Sequence, residues 1–158
     1  MELRWDTISG HEKQKEALRT MLREGRLPHA LLFTGPDGIG KRMVGRVLAA
    51  AILCDAEDGP CGHCESCRAM QLGSHPDYLE VVPEQNGKSA AQIRIEAIRV
   101  MQTQVSRYPV LAKRRTVLID DADRMNEAAQ NSLLKTLEEP PSHVVFILAT
   151  TEPHKIPA

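Results

Sequence analysis

An apolar run that begins at Ala30 and ends at Thr34 gives way to Gly35-Pro36-Asp37-Gly38-Ile39-Gly40-Lys41-Arg42, after which Met43 to Leu53 is helix-forming. A short, continuous apolar run that meets glycines and then a helix reads as a buried strand turning into a helix, and it commits the chain to an α/β fold. The octapeptide follows G-x-x-x-x-G-K-[ST] up to its last position. In that pattern Gly35, Gly38 and Gly40 let the backbone curl so that its N–H groups face phosphate oxygens, and the helix that follows adds its positive end. Lys41 supplies a point charge for the outer phosphates. The last position should carry a hydroxyl that ligates magnesium. Here it is Arg42, which has five donors and no acceptor. The competing reading is a plain glycine-rich β-to-α turn.

The rest of the chain repeats this alternation. Ser9-x-x-Glu12 has capping-box spacing, and Ala17, Leu18, Met21 and Leu22 predict an amphipathic helix from about Gly10 to Glu24, stopped by Gly25. Tyr78 to Val82 reads as a second strand and Pro83 to Ala90 as a polar surface loop. A helix carrying Ile93, Ala97, Ile98, Met101 and Val105 follows, ending near Tyr108-Pro109. Thr116 to Ile119 reads as a buried strand closing on Asp120-Asp121. Asn126 to Glu138 reads as a helix stopped by Pro140-Pro141, and Val144 to Leu148 as a fourth strand. Strands alternating with helices imply right-handed crossovers and a parallel sheet between helix layers. The 158 residues suffice for one domain, 1–158, with a sizeable core.

Parallel strands end on one edge, so Asp120 should converge on Lys41, where a carboxylate would serve the magnesium shell. Asp121 follows in the place where a Glu would polarise the attacking water, and it is one methylene shorter. Alternatively, Asp120, Asp121 and Asp123 only favour the positive end of the next helix.

Cys54, Cys61, Cys64 and Cys67 place four thiols within fourteen positions, in an insertion (54–67) that interrupts the regular pattern. That number of soft ligands on short turns suits a closed tetrahedral zinc site, which would brace the fold and offer no open position to substrate. An iron–sulfur cluster competes, although no Cys-Pro follows. His63 could replace a thiolate or stand solvated in the loop. Disulfides are disfavoured, because no secretory layout marks Met1 to Ser9 and the chain reads as cytosolic, with no membrane segment.

Charge and composition narrow the partners. Twenty Lys and Arg against 21 Asp and Glu leave a net charge of −1, so no global basic field advertises nucleic acid. Three per cent aromatic residues argue against base-stacking platforms. The Lys113-Arg114-Arg115 run could meet a DNA phosphate, but reads more simply as a solvated approach to a strand.

Taken together, Ile8-Ser9-Gly10-His11-Glu12, the loop from Gly35 to Arg42, Cys61 to Cys67, Gly73-Ser74-His75-Pro76-Asp77, Asn131 to Pro141 and Phe146 to Thr151 resemble the clamp-loader branch of the AAA+ ATPases. Within it they are most similar to the delta-prime subunits of bacterial DNA polymerase III. The resemblance implies a P-loop NTPase-type three-layer fold with an inserted four-cysteine zinc module. It also implies that Lys41 and its loop face the phosphates of ATP or ADP, that Asp120 faces the metal, and that Thr151 reads the terminal phosphate. Residues around Ile8 to Gly10 would border adenine.

Arg42 and Asp121 depart from the ATPase pattern as delta-prime subunits do. The expectation is a subunit that does not hydrolyse ATP, binds nucleotide weakly if at all, and helps to load the sliding clamp onto primed DNA. Its partners would be the other clamp-loader subunits, delta and gamma/tau. The chain stops before the Ser-Arg-Cys motif that would follow in the family, so it is expected to be a fragment or an incomplete member, without the last strand, lid and collar domains. Three alternatives stand beside this reading: an ATP-hydrolysing gamma/tau-type subunit, a self-sufficient P-loop ATPase acting on other DNA structures, and a zinc-braced nucleic-acid-binding module without a nucleotide role.

Overall fold

The computed structural model describes residues 3–8, 10–35, 40–56, 58–87 and 90–151. The elements run α1 (Glu12–Arg23), β1 (Ala30–Thr34), α2 (Lys41–Leu53), α3 (Glu65–Leu72), β2 (Tyr78–Val81), α4 (Ile95–Val105), β3 (Arg115–Ile119), α5 (Glu127–Glu138) and β4 (Val144–Thr150). Their four strands form one sheet in the order β1-β4-β3-β2, and every pairing in it is parallel.

The two central strands explain the layering. In β3 and β4, Val117, Ile119, Phe146 and Leu148 enter a core shared with α4 and α5, including Ile98, Met101 and Leu133. Leu118 and Ile147 point the other way, into a core with Val47 and Leu48 of α2 and Leu18 of α1. Side chains of a strand alternate between faces, so an apolar residue at every position requires helices on both sides. The result is the three-layer α/β architecture expected from the sequence.

Several local expectations are corrected. β1 is half-exposed rather than buried on both faces. It pairs only with β4 among the described residues, and Leu32 is 48% exposed at this edge. Ile93 lies before α4, not in it. Its N–H donates to the Arg124 carbonyl at 2.9 Å and its own carbonyl accepts from Asn126 at 3.1 Å, and an isolated parallel bridge to Met125 holds it 1% exposed. The loop after β2 is not purely irregular, because Glu84 and Gln92 form an antiparallel bridge. At α1 the N-cap is His11 in the left-handed region (φ 57°), without a side-chain cap. Ser9, the expected cap, lies outside the described residues. α5 starts as predicted, with the Asn126 side chain accepting from the Ala129 N–H at 2.9 Å.

Candidate functional site

The parallel register brings the candidate residues to one edge of the sheet. Thr34 lies opposite Thr150 and Ile119 opposite Leu148, so Gly35, Asp120 and Thr151 all follow the carboxyl ends of adjacent strands. Gly40 caps α2 at φ 83°, a left-handed conformation that favours glycine, and lets the helix begin directly at Lys41. The Lys41 Nζ donates to the Gly35 carbonyl at 2.9 Å. Gly38 lies outside the described residues. Beside Lys41 opens a cavity of about 620 Å³, lined by Lys15, Leu18, Phe33, Thr34 and Val44 among others. Lys15 is buried there, its ammonium donating to the Ile8 carbonyl at 2.9 Å and pairing with Glu12 at 3.0 Å.

In the first turn of α2, Arg42 crosses to the neighbouring strand ends. Its Nε donates to Glu80 Oε1 at 2.7 Å and lies 3.7 Å from Asp120 Oδ2. Arg46, one turn further on the same face, also reaches Glu80, with Nη2 at 2.9 Å from Oε1. Burial would push the Glu80 carboxyl up, but the two guanidinium groups hold it below the usual range. Asp120 moves the opposite way. Burial and the charge of Asp121 raise it, and Arg42 only partly offsets them. Asp121 itself adopts the left-handed conformation (φ 49°), which a β-carboxylate tolerates better than most side chains. Asp123, in the short 3-10 turn Ala122–Arg124, accepts from the Thr150 hydroxyl at 2.6 Å and ties that turn to the end of β4. Thr151, the expected phosphate reader, stands half-buried just beyond β4.

The reading of the sequence missed Glu80 and Arg46. A legible signal existed: a lone carboxylate inside Tyr78-Leu79-Glu80-Val81 demands a cation, and Arg42 and Arg46 stand four apart on a helix.

A second constellation lies at the far end of α2. The sulfurs of Cys54, Cys61, Cys64 and Cys67 all lie within 4.8 Å of one another, with Cys61–Cys67 and Cys54–Cys64 each at 3.9 Å. Four thiolates about 2.3 Å from a tetrahedral ion would stand roughly 3.8 Å apart, so the quartet fits a closed metal site. Backbone N–H groups also point at sulfur: Cys61 at Cys54 (3.4 Å), Cys64 at Cys61 and Cys67 at Cys64 (both 3.3 Å). A backbone N–H from His63 leads in drawing the Cys61 thiol down to about 6, whereas burial pushes Cys54 and Cys67 up. The module is fastened from both sides. The Trp5 indole donates to the Gly59 carbonyl at 2.9 Å, and the Ser66 hydroxyl meets His75 Nε2 at 3.1 Å.

His75 and Asp77 extend that fastening to the sheet. The Asp77 N–H donates to His75 Nδ1 at 3.0 Å, and the Asp77 carboxylate accepts the N–H groups of Val110, Leu111 and Ala112 at 2.6 to 2.7 Å. Arg115 is not solvated, contrary to the sequence reading. It is 5% exposed, its guanidinium donates to the carbonyls of Pro76, Arg107 and Tyr108, and it lies 3.9 Å from Asp77. Lys113 is exposed and Arg114 half-buried, so the basic run is broken up.

Comparison with known proteins shows the family and the fold. The family described as "DNA polymerase III, delta subunit" matches residues 10–158. DNA polymerase III subunit tau of Bacillus subtilis is 36% identical over 98% of this chain and 27% of its own length. Subunit delta' of Escherichia coli is 38% identical over 89% of this chain and 42% of its own length. The chain thus spans less than half of these relatives. Among solved structures, a DNA polymerase III gamma subunit-related protein of Thermotoga maritima aligns with a TM-score of 0.65 at 27% identity, covering 90% of this chain and 40% of that one. The RuvB Holliday junction branch migration motor of the same organism aligns over 99% of this chain and 44% of its own, with a TM-score of 0.60 at 18% identity, a likeness of fold alone. No helix among the described residues is long and apolar enough to cross a membrane.

Proposed function

The chain belongs to the DNA polymerase III delta-subunit family, and from that premise we propose that the protein is a clamp-loader subunit that does not itself hydrolyse ATP. In this reading it assembles with other clamp-loader subunits, of delta and gamma/tau type, to place the sliding clamp on primed DNA in the cytoplasm, and the energy comes from ATP held by those partners. Lys41, Gly35 and Gly40 would face phosphate, Thr151 would sense it, and Asp120 would lack the metal it serves in an ATPase.

The observation that carries the reading is Arg42. A hydrolysing gamma-type subunit needs a hydroxyl there, and this side chain is instead engaged with Glu80 and Asp120. Asp121 adds a second defect, being short and held at a left-handed backbone position. For the cysteine quartet we propose a structural zinc ion, held by Cys54, Cys61, Cys64 and Cys67 and serving only to brace the junction of α2 and α3.

Phosphate release from ATP by the whole protein, without partners, tests this. The expected rate is at background, unchanged in Lys41→Ala, and Arg42→Thr alone restores little because Asp121 remains. Brisk release that disappears in Lys41→Ala would overturn the proposal, as would partner-like rates from the single Arg42→Thr change.

A further inference from the structure

The divalent cation that the loop pattern implies does not fit the side chains that should hold it. Magnesium needs near-octahedral oxygen ligands, with one hydroxyl from position 42 and help from the acidic strand end. Position 42 offers only donors. Its guanidinium lies 3.7 Å from Asp120 Oδ2 and 2.7 Å from Glu80 Oε1, so it already stands beside the carboxylate that a metal would use. Glu80 is not available as a substitute ligand, because Arg46 also holds it, with Nη2 at 2.9 Å from Oε1 and Nε at 3.3 Å from Oε2. The cluster therefore sets the guanidinium groups of Arg42 and Arg46 against the carboxylates of Glu80, Asp120 and the adjacent Asp121, with Lys41 one residue away. An incoming divalent ion would meet a fixed positive charge where it needs an empty coordination position.

We propose that Arg42, aimed by Glu80, is a resident cation that takes the metal's place beside Asp120, and that Lys41 and Arg42 accept a nucleoside polyphosphate free of divalent metal. This rests on the reading of Lys41 as a phosphate ligand and adds to it the charge state of the ligand. A metal-free polyphosphate presents more negative charge than its magnesium complex, and that charge is met by Lys41 as a point charge and by Arg42 as a planar fork. Arg42 engages Glu80 through Nε, and its side chain is 46% exposed, so the residue is held by Glu80 and still reaches solvent. Glu80 is the positioning residue. It fixes the guanidinium by the Nε hydrogen bond and is itself fixed by Arg46.

The experiment is a titration of the whole protein with fluorescent ADP and ATP, in EDTA and in millimolar magnesium, for the native chain, Arg42→Thr, Arg42→Lys and Lys41→Ala. Native affinity should be equal in the two conditions within about threefold, or tighter in EDTA, and Arg42→Lys should behave alike, whereas Arg42→Thr should gain at least about tenfold from magnesium. Manganese alone, followed by its electron paramagnetic resonance, should bind at this site in Arg42→Thr and not in the native chain. This readout does not depend on nucleotide. A native chain that binds nucleotide at least about tenfold more tightly with magnesium, that binds none in either condition, or whose manganese signal matches that of Arg42→Thr would overturn the proposal. The Lys41→Ala arm reports separately on the underlying reading. Unchanged binding there removes the phosphate role of Lys41, while a magnesium requirement lost only in that variant removes the resident-cation claim and leaves the phosphate role standing.

Discussion

At Asp77 one carboxylate accepts three consecutive backbone N–H groups and faces a buried guanidinium, so its charge is fully engaged although the residue is 1% exposed. Burial opposes the ionised form, but the Ala112, Val110 and Leu111 amides, with a smaller contribution from His75, hold the carboxyl below its ordinary value of 3.8. Asp77→Asn should destabilise the fold by about 2–4 kcal/mol in chemical denaturation, because an amide cannot accept all three bonds and Arg115 is left buried without its counter-charge. The pH dependence has a defined direction. Burial lowers His75 below its ordinary 6.5, so the unfolded chain takes up a proton first and stability falls as pH drops below that value. The contribution of Asp77 persists above 3.8 and is lost further down, as pH passes through its lowered folded value. Denaturation midpoints should therefore decline in acid in two stages. His75→Asn, whose side-chain oxygen can replace Nδ1 as acceptor, should remove the first stage and retain the second.

Among the elements, the cysteine module shows how closely a cluster of four thiols depends on residues outside the quartet. A Cβ on Gly59 would stand 2.7 Å from Cys54 Cβ and 2.9 Å from its sulfur, so the module closes only with glycine there. Gly59→Ala should weaken metal retention by roughly 10- to 100-fold in competition with a chromophoric chelator, a loss typical of disturbed support around a metal centre. Retention equal to that of the native chain would show that the turn bearing Gly59 can move aside. The spacing of the cysteines made this element legible in the sequence, since ligand number and turn length are written directly in the chain. Its supports were not legible, because Gly59, Trp5 and His75 act through contacts across the fold. The elements themselves were readable wherever one period dominated. β3, β4 and α5 lie within a residue or two of their predicted bounds, whereas Ile93 was read into α4 because an apolar residue bridging to Met125 looks the same as the first turn of a helix.

For the whole molecule, the alternation of strand and helix was enough to predict a layered parallel sheet and to place Lys41 and Asp120 on one edge. Sequence could not say that β1 would have a single strand neighbour among the described residues, because edge and central strands share the same apolar signature until pairing is known. Nor could it say that Arg115 would be buried, since a basic run reads as solvated until the carbonyls that surround it are located. The candidate site was legible as motif positions, and its electrostatics only once β2 was seen lying beside α2 and β3.

The bond from Trp5 to Gly59 gives the fold an optical gauge. The chain has only one tryptophan, and its indole is 7% exposed and fastened to the turn that closes on Cys54. Stripping the proposed zinc from the four sulfurs should therefore shift its emission to the red in step with loss of the ion, with no label attached, and an emission maximum that stays fixed through complete extraction would show that the amino-terminal segment keeps its seat when the brace is gone.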